Sequence, residues 1–63
     1  EPDPVLYDHL GDILFSLGNY DEASGAWRNS LFLAVNPKDD PGGEMPDPRT
    51  LKNKIDKAKR LLQ

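Results

Sequence analysis

His9 is the single histidine of this 63-residue chain, and Asp8 and Asp12 stand close to it in sequence. An imidazole oriented by a carboxylate supplies the parts of a general base. The chain has no cysteine to act as nucleophile. Ser16, Ser24 and Ser30 sit in no nucleophile motif. A helix histidine, partly packed or hydrogen-bonded, therefore accounts for His9 better than a catalytic base does. Metal ligation by Asp8, His9 and Asp12 fares no better, because adjacent residues of a helix point in different directions. Asp39, Asp40 and Glu44 beside Gly42-Gly43 have the composition of a calcium loop. They lack the alternating ligands and the distant Glu of an EF-hand, and a solvated acidic linker is the better account. No catalytic residue, cofactor or metal ligand is expected.

Lys52, Lys54, Lys57, Lys59 and Arg60 offer cations to phosphates. They belong to a divided charge pattern. Residues 1–47 carry ten acids against Arg28 and Lys38, whereas residues 48–63 carry six bases against Asp56 alone, so a net charge of -3 conceals segments of -8 and +5. A basic tail of this kind can be a nucleic-acid arm or the wet face of a helix. No aromatic is interleaved among the lysines and the whole chain is acidic, which places nucleic acid low among the expected partners.

The elements that carry these residues announce themselves. Asp3 suits a helix N-cap and Pro4 the first helical position. Leu6, Leu10, Ile13, Leu14 and Leu17 then recur at helical spacing, and Gly18 follows as a stop. These features predict a helix over 4–17 with that apolar stripe toward the core. Asn19 and Glu22 have capping-box spacing, and Tyr20, Ala23, Trp27, Ser30, Leu31 and Ala34 form the stripe of a second helix. Gly25 inside it reads as a tolerated, exposed weakness of about 1 kcal/mol. So short a connection folds the two helices back antiparallel.

Pro37, Pro41, Gly42, Gly43 and Pro46 break any helix between 38 and 47, where Lys38, Asp39, Asp40 and Glu44 keep a linker solvated. Asp47-Pro48 repeats the start signal of Asp3-Pro4. Leu51, Ile55, Ala58 and Leu62 follow as a narrow seam on a charged third helix, expected to cover the second helix near Ser30, Leu31 and Ala34. The organisation expected is a helical hairpin over 1–37, a linker over 38–47 and a closing helix over 48–63. No strand pattern occurs, so the fold class is all-α.

Size limits what this architecture can do alone. A chain this short buries only about 60% of its unfolded surface and gains ~3–5 kcal/mol from its core. Without cysteine, neither a disulfide nor a thiolate-bound zinc is available as a staple. The chain starts at Glu1 and holds no apolar run near the roughly 18 residues a membrane span requires. It reads as a piece of a longer protein. A cysteine-free composition fits the cytoplasm and the bacterial periplasm equally, so the compartment is unassigned.

Tyr7-x2-Leu10-Gly11-x2-Leu14, then Ala23-x3-Trp27 and a closing Pro37 resemble the sequence pattern of tetratricopeptide repeats, as does the turn Gly18-Asn19-Tyr20-Asp21-Glu22-Ala23. The resemblance covers about residues 4–37. Leu14 replaces an aromatic, Ser30 a small Ala, and Pro37 comes late. In such a repeat Gly11 and Ala23 are small where two helices cross closely, while Tyr7, Leu14, Tyr20 and Trp27 fill the wedge around them. Asp8-His9-Leu10-Gly11-Asp12, with Trp27 and a Lys-rich third helix, also resembles the final repeat of bacterial multi-repeat proteins, where the last helix closes the stack.

The resemblance implies a protein-binding scaffold rather than an enzyme, with Val5, Asp8, Asp12, Phe15 and Ser16 lining the concave groove. Repeats that clamp a chaperone's terminal carboxylate carry Lys and Asn where this chain has Asp8 and Asp12. The peptide or protein partner implied here is therefore neutral or basic, besides adjacent repeats of the parent chain. The alternative is a structural cap without a partner site of its own.

Overall fold

The computed structural model describes residues 3–35 and 46–62, which form three helices: α1 (Pro4–Ser16), α2 (Tyr20–Val35) and α3 (Pro48–Leu62). Among the described residues there is no strand, and the fold is all-α. The expected linker residues from Pro37 to Met45 lie outside the described residues.

The helix ends follow from the predicted signals. Asp3 Oδ1 accepts from the Val5 N–H at 2.8 Å, and Asp47 Oδ1 accepts from the Arg49 N–H at 3.0 Å, so two Asp-Pro starts use the same device. α1 ends one residue earlier than expected, with Leu17 as its cap. Gly18 has φ 83°, and the N–H groups of Gly18 and Asn19 donate to Phe15 O and Leu14 O at 3.0 and 2.9 Å. That pair of bonds is a Schellman motif, which requires the left-handed residue glycine supplies. α2 begins differently from expectation. The Asn19 backbone carbonyl accepts from Ala23, but no side-chain bond of a capping box joins Asn19 and Glu22 among the described residues.

α1 and α2 lie antiparallel, because Pro4 meets Ser30, Asp8 meets Trp27 and Phe15 meets Tyr20. α3 turns back along α2, so that Lys54 reaches Asp8 and Asp12 while Lys57 reaches Phe15 farther along α1. The core is Ala23, Trp27, Leu51, Ile55 and Ala58, flanked by Leu14, Phe15, Tyr20 and Leu31. Leu62 was expected in the α3 seam and is 51% exposed; the seam ends at Ala58.

The largest departure concerns α1. Leu6, Leu10, Ile13 and Leu17, expected toward the core, are 62%, 44%, 58% and 69% exposed, and only Leu14 of that stripe packs inward. The reason is shape. Gly11 is buried, and a Cβ there would stand 2.8 Å from Trp27 Cε2 and closer still to Nε1 and Cδ1. The indole fills the notch that Gly11 leaves, which turns the Gly11 side of α1 toward α2 and the leucine stripe away. Gly11 is thus small at the helix crossing, but against a ring rather than against Ala23. Two bonds fix the rotation: Trp27 Nε1–H donates to Asp8 O at 3.2 Å, and Ser30 Oγ–H donates to Pro4 O at 2.6 Å.

Candidate functional site

The surface expected to bind a partner is largely engaged within the chain. Lys54 on α3 points its ammonium between the two acids of α1, 2.9 Å from Asp8 Oδ1 and 3.0 Å from Asp12 Oδ1. The i, i+4 spacing on one helix face allows a single cation to bridge both carboxylates. The same ammonium lies 5.6 Å from the Trp27 ring centroid, within cation–π range. Burial alone would lower the Lys54 pKa, but the hydrogen bonds and charges of Asp8 and Asp12 outweigh it, and the net shift is upward from the ordinary lysine value.

The other residues of that expected surface divide. Phe15 packs against the core, with its centroid 5.0 Å from Tyr20 and 5.6 Å from Trp27, and Lys57 Nζ stands 5.5 Å over it. Val5 is half-buried. Ser16 is exposed, and its hydroxyl donates back to Asp12 O at 3.1 Å. Asp8, Asp12 and Phe15 therefore come together beneath α3, with Val5 and Ser16 at their margins. Of the repeat signature, Gly11, Ala23 and Trp27 are buried, Tyr7, Leu14 and Tyr20 are half-buried and Leu10 is exposed. Pro37 lies outside the described residues.

The chemical candidates are dispersed. His9 is exposed and makes no hydrogen bond to Asp8 or Asp12 among the described residues, since both carboxylates turn to Lys54. Ser30 is committed to Pro4 O, while Ser24 Oγ is buried with no hydrogen-bond partner among the described residues. Among the described residues no group of three His, Asp or Glu side chains is placed to hold a metal, and no helix is long and apolar enough to cross a membrane.

Among the described residues two open surfaces are extended, beside the exposed Phe32, Val35, Leu61 and Leu62 near the ends of α2 and α3. One is the outer face of α1, where Leu6, Leu10, Ile13 and Leu17 recur at i, i+4, i+7 and i+11. The only Asp, Glu, Lys or Arg residues of α1 are Asp8 and Asp12, which lie on the other side with Lys54, so this face carries no formal charge; the exposed His9, three residues after Leu6 and four before Ile13, borders it. The other is a shallow, open depression of about 340 Å³ between α2 and α3, lined by Arg28, Leu31, Lys52, Ile55, Asp56 and Lys59. Sequence reasoning missed both. The leucine periodicity was visible but assigned to the core, and the depression needs the register of two helices separated by the linker. No protein-family model, no curated protein and no solved structure matches this chain.

Proposed function

We propose that the chain is a non-catalytic protein-interaction module, a repeat-like hairpin with a closing helix. It docks a neutral, apolar helix of an adjacent unit in the parent chain, or of a separate protein, on the outer face of α1. The observation that carries this reading is the uncharged stripe Leu6, Leu10, Ile13 and Leu17. Contiguous apolar surface on a small domain marks contact sites more often than isolated exposed leucines do. Its helical spacing suits another helix packed along it. The tetratricopeptide resemblance of residues 4–37 points the same way, toward units that stack through helix faces.

A partner carrying positive charge has a second place to go, since it would compete with Lys54 for Asp8 and Asp12. The rival reading, a cap with no partner site of its own, is favoured by the same ion pair, which satisfies the acidic surface from inside the chain.

The test uses a synthetic amphipathic helix of zero net charge with leucines on one face, titrated by calorimetry. Binding to the chain, abolished in Leu10→Arg/Ile13→Arg at unchanged helicity, supports the docking face. Absence of binding, or binding that survives the double substitution, would sink it and leave the cap.

A further inference from the structure

We infer that the depression between α2 and α3 is a second, independent docking site, and that its occupant is an acidic peptide segment bearing an apolar side chain. Leu31 and Ile55 form an apolar floor, and Arg28, Lys52 and Lys59 stand around it. None of these three cations makes an ion pair among the described residues. The one acid of the lining, Asp56, is held by Arg60 at 2.7 Å, so its charge is already answered from outside the depression. Counting Arg60 with the lining leaves four cations against one acid, on a chain whose net charge is -3.

That concentration of unpaired positive charge sets the sign of the ligand. Rim cations of this kind raise association rate and exclude cationic competitors, while the apolar floor supplies the contact that retains the ligand. A lipid surface is a poor fit, because Leu51, Ile55 and Ala58 of α3 are buried, and the exposed Leu61 and Leu62 lie at the end of the helix, outside the lining of the depression. Nucleic acid is a poor fit as well. Base stacking needs exposed aromatic rings, and the lining contains none. A carboxylate-rich peptide with one leucine meets both the rim and the floor.

The site differs from the α1 face in its elements, charge and ligand, so the two proposals fail separately. The probe is a fluorescein-labelled peptide of glutamates around a central leucine, titrated by anisotropy at low and high salt. Comparison probes are the lysine counterpart, oligoglutamate, a single-stranded oligonucleotide and phosphatidylserine vesicles. The glutamate–leucine peptide is expected to bind in a salt-sensitive manner and more tightly than oligoglutamate. Lys52→Glu/Lys59→Glu should weaken it on the order of tenfold or more. Arg28→Gln should weaken it less, and Leu10→Arg/Ile13→Arg should leave it unchanged. Circular dichroism secures the fold of each variant, as exposed charges add little stability. Three results overturn the inference: no binding, equal binding by Lys52→Glu/Lys59→Glu, or tighter binding of the oligonucleotide or vesicles than of the peptide.

Discussion

The indole of Trp27 occupies the space a side chain at Gly11 would need, with Cε2 only 2.8 Å from the position of a Cβ there. This one contact decides which side of α1 is covered. It also brings Trp27 Nε1 to the Asp8 carbonyl and leaves Lys54 room to lie over the ring. A notch and a ring thus set the rotation of a whole helix, against the pull of three leucines and Ile13 on its other side.

Substitution of Gly11 by alanine tests that relationship against intrinsic helix preference. Alanine is the better helix former by about 1 kcal/mol, so an open site would gain stability. At Gly11 the added methyl must displace the indole or spread the helices, and overpacking of this kind costs ~1–3 kcal/mol. Gly11→Ala should therefore lower the melting temperature. Gly25→Ala should raise it, because nothing lies within 4 Å of a Cβ at Gly25. Melts of the two variants with the same sign would refute the assignment of Gly11 to the crossing.

Periodicity found the leucine stripe of α1 and could not say whether the stripe or the notch beside it faces the neighbour. A glycine contributes nothing to a hydrophobic pattern, and its meaning here depends on Trp27, which the chain brings back only through the turn at Gly18. The ends of the helices were legible because their signals are local: Asp3-Pro4, Gly18 and Asp47-Pro48 each act on backbone groups within a few residues. The acidic pair Asp8 and Asp12 was legible as a single face. Its partner was not, since Lys54 lies 46 residues from Asp8 in the chain. The cluster of Arg28 with Lys52 and Lys59 was hidden for a like reason, because Arg28 belongs to α2 and the two lysines to α3, across the linker.

Ser24 and Ser30 are both buried, and opposite outcomes are expected when each becomes alanine. Ser24 Oγ has no hydrogen-bond partner among the described residues, so Ser24→Ala removes an unsatisfied polar group and a weaker helix former together. The gain should be about 1 kcal/mol. Ser30→Ala loses the 2.6 Å bond to Pro4 O and should cost about 1 kcal/mol. Urea midpoints at constant m-value read both changes. A destabilised Ser24→Ala would show that its hydroxyl is satisfied in solution.

Lys54 gives the fold an alkaline edge. Its pKa is raised on folding, so the ion pair's contribution is fully present below the ordinary lysine value of about 10.4 and fades as pH climbs through the raised one. Lys54→Met keeps an unbranched stem near Trp27 but leaves Asp8 and Asp12 facing each other without a cation. At neutral pH the loss should be modest, about 0.5–1 kcal/mol for a partly exposed pair. As pH rises above the ordinary lysine value of about 10.4, wild type should lose more stability than Lys54→Met. Parallel pH profiles would show that the bridge contributes nothing to folding.

The closing helix holds three of the six buried apolar residues, Leu51, Ile55 and Ala58, which cluster with Ala23 and Trp27 of α2. Removing it leaves α1 and α2 joined by the Gly11–Trp27 contact, the packing of Phe15 on Tyr20 and Trp27, and two hydrogen bonds, without the cover that α3 gives Trp27. A lone hairpin cannot bury its apolar face, and helices of 13 and 16 residues are marginal in isolation. A chain ending before Pro48 should keep part of its helicity, melt without a cooperative transition and show red-shifted Trp27 emission. Graded substitutions separate this packing effect from mere shortening. Leu51 is fully buried, and Leu51→Ala should cost ~2–5 kcal/mol, comparable to the ~3–5 kcal/mol expected of so small a core. Leu62 is half exposed, and Leu62→Gln should change stability by less than about 0.5 kcal/mol. If Leu62→Gln proved as damaging as Leu51→Ala, the α3 seam would extend past Ala58 in solution. If the truncated chain still melted cooperatively, α1 and α2 would be a self-sufficient unit and α3 an appended helix.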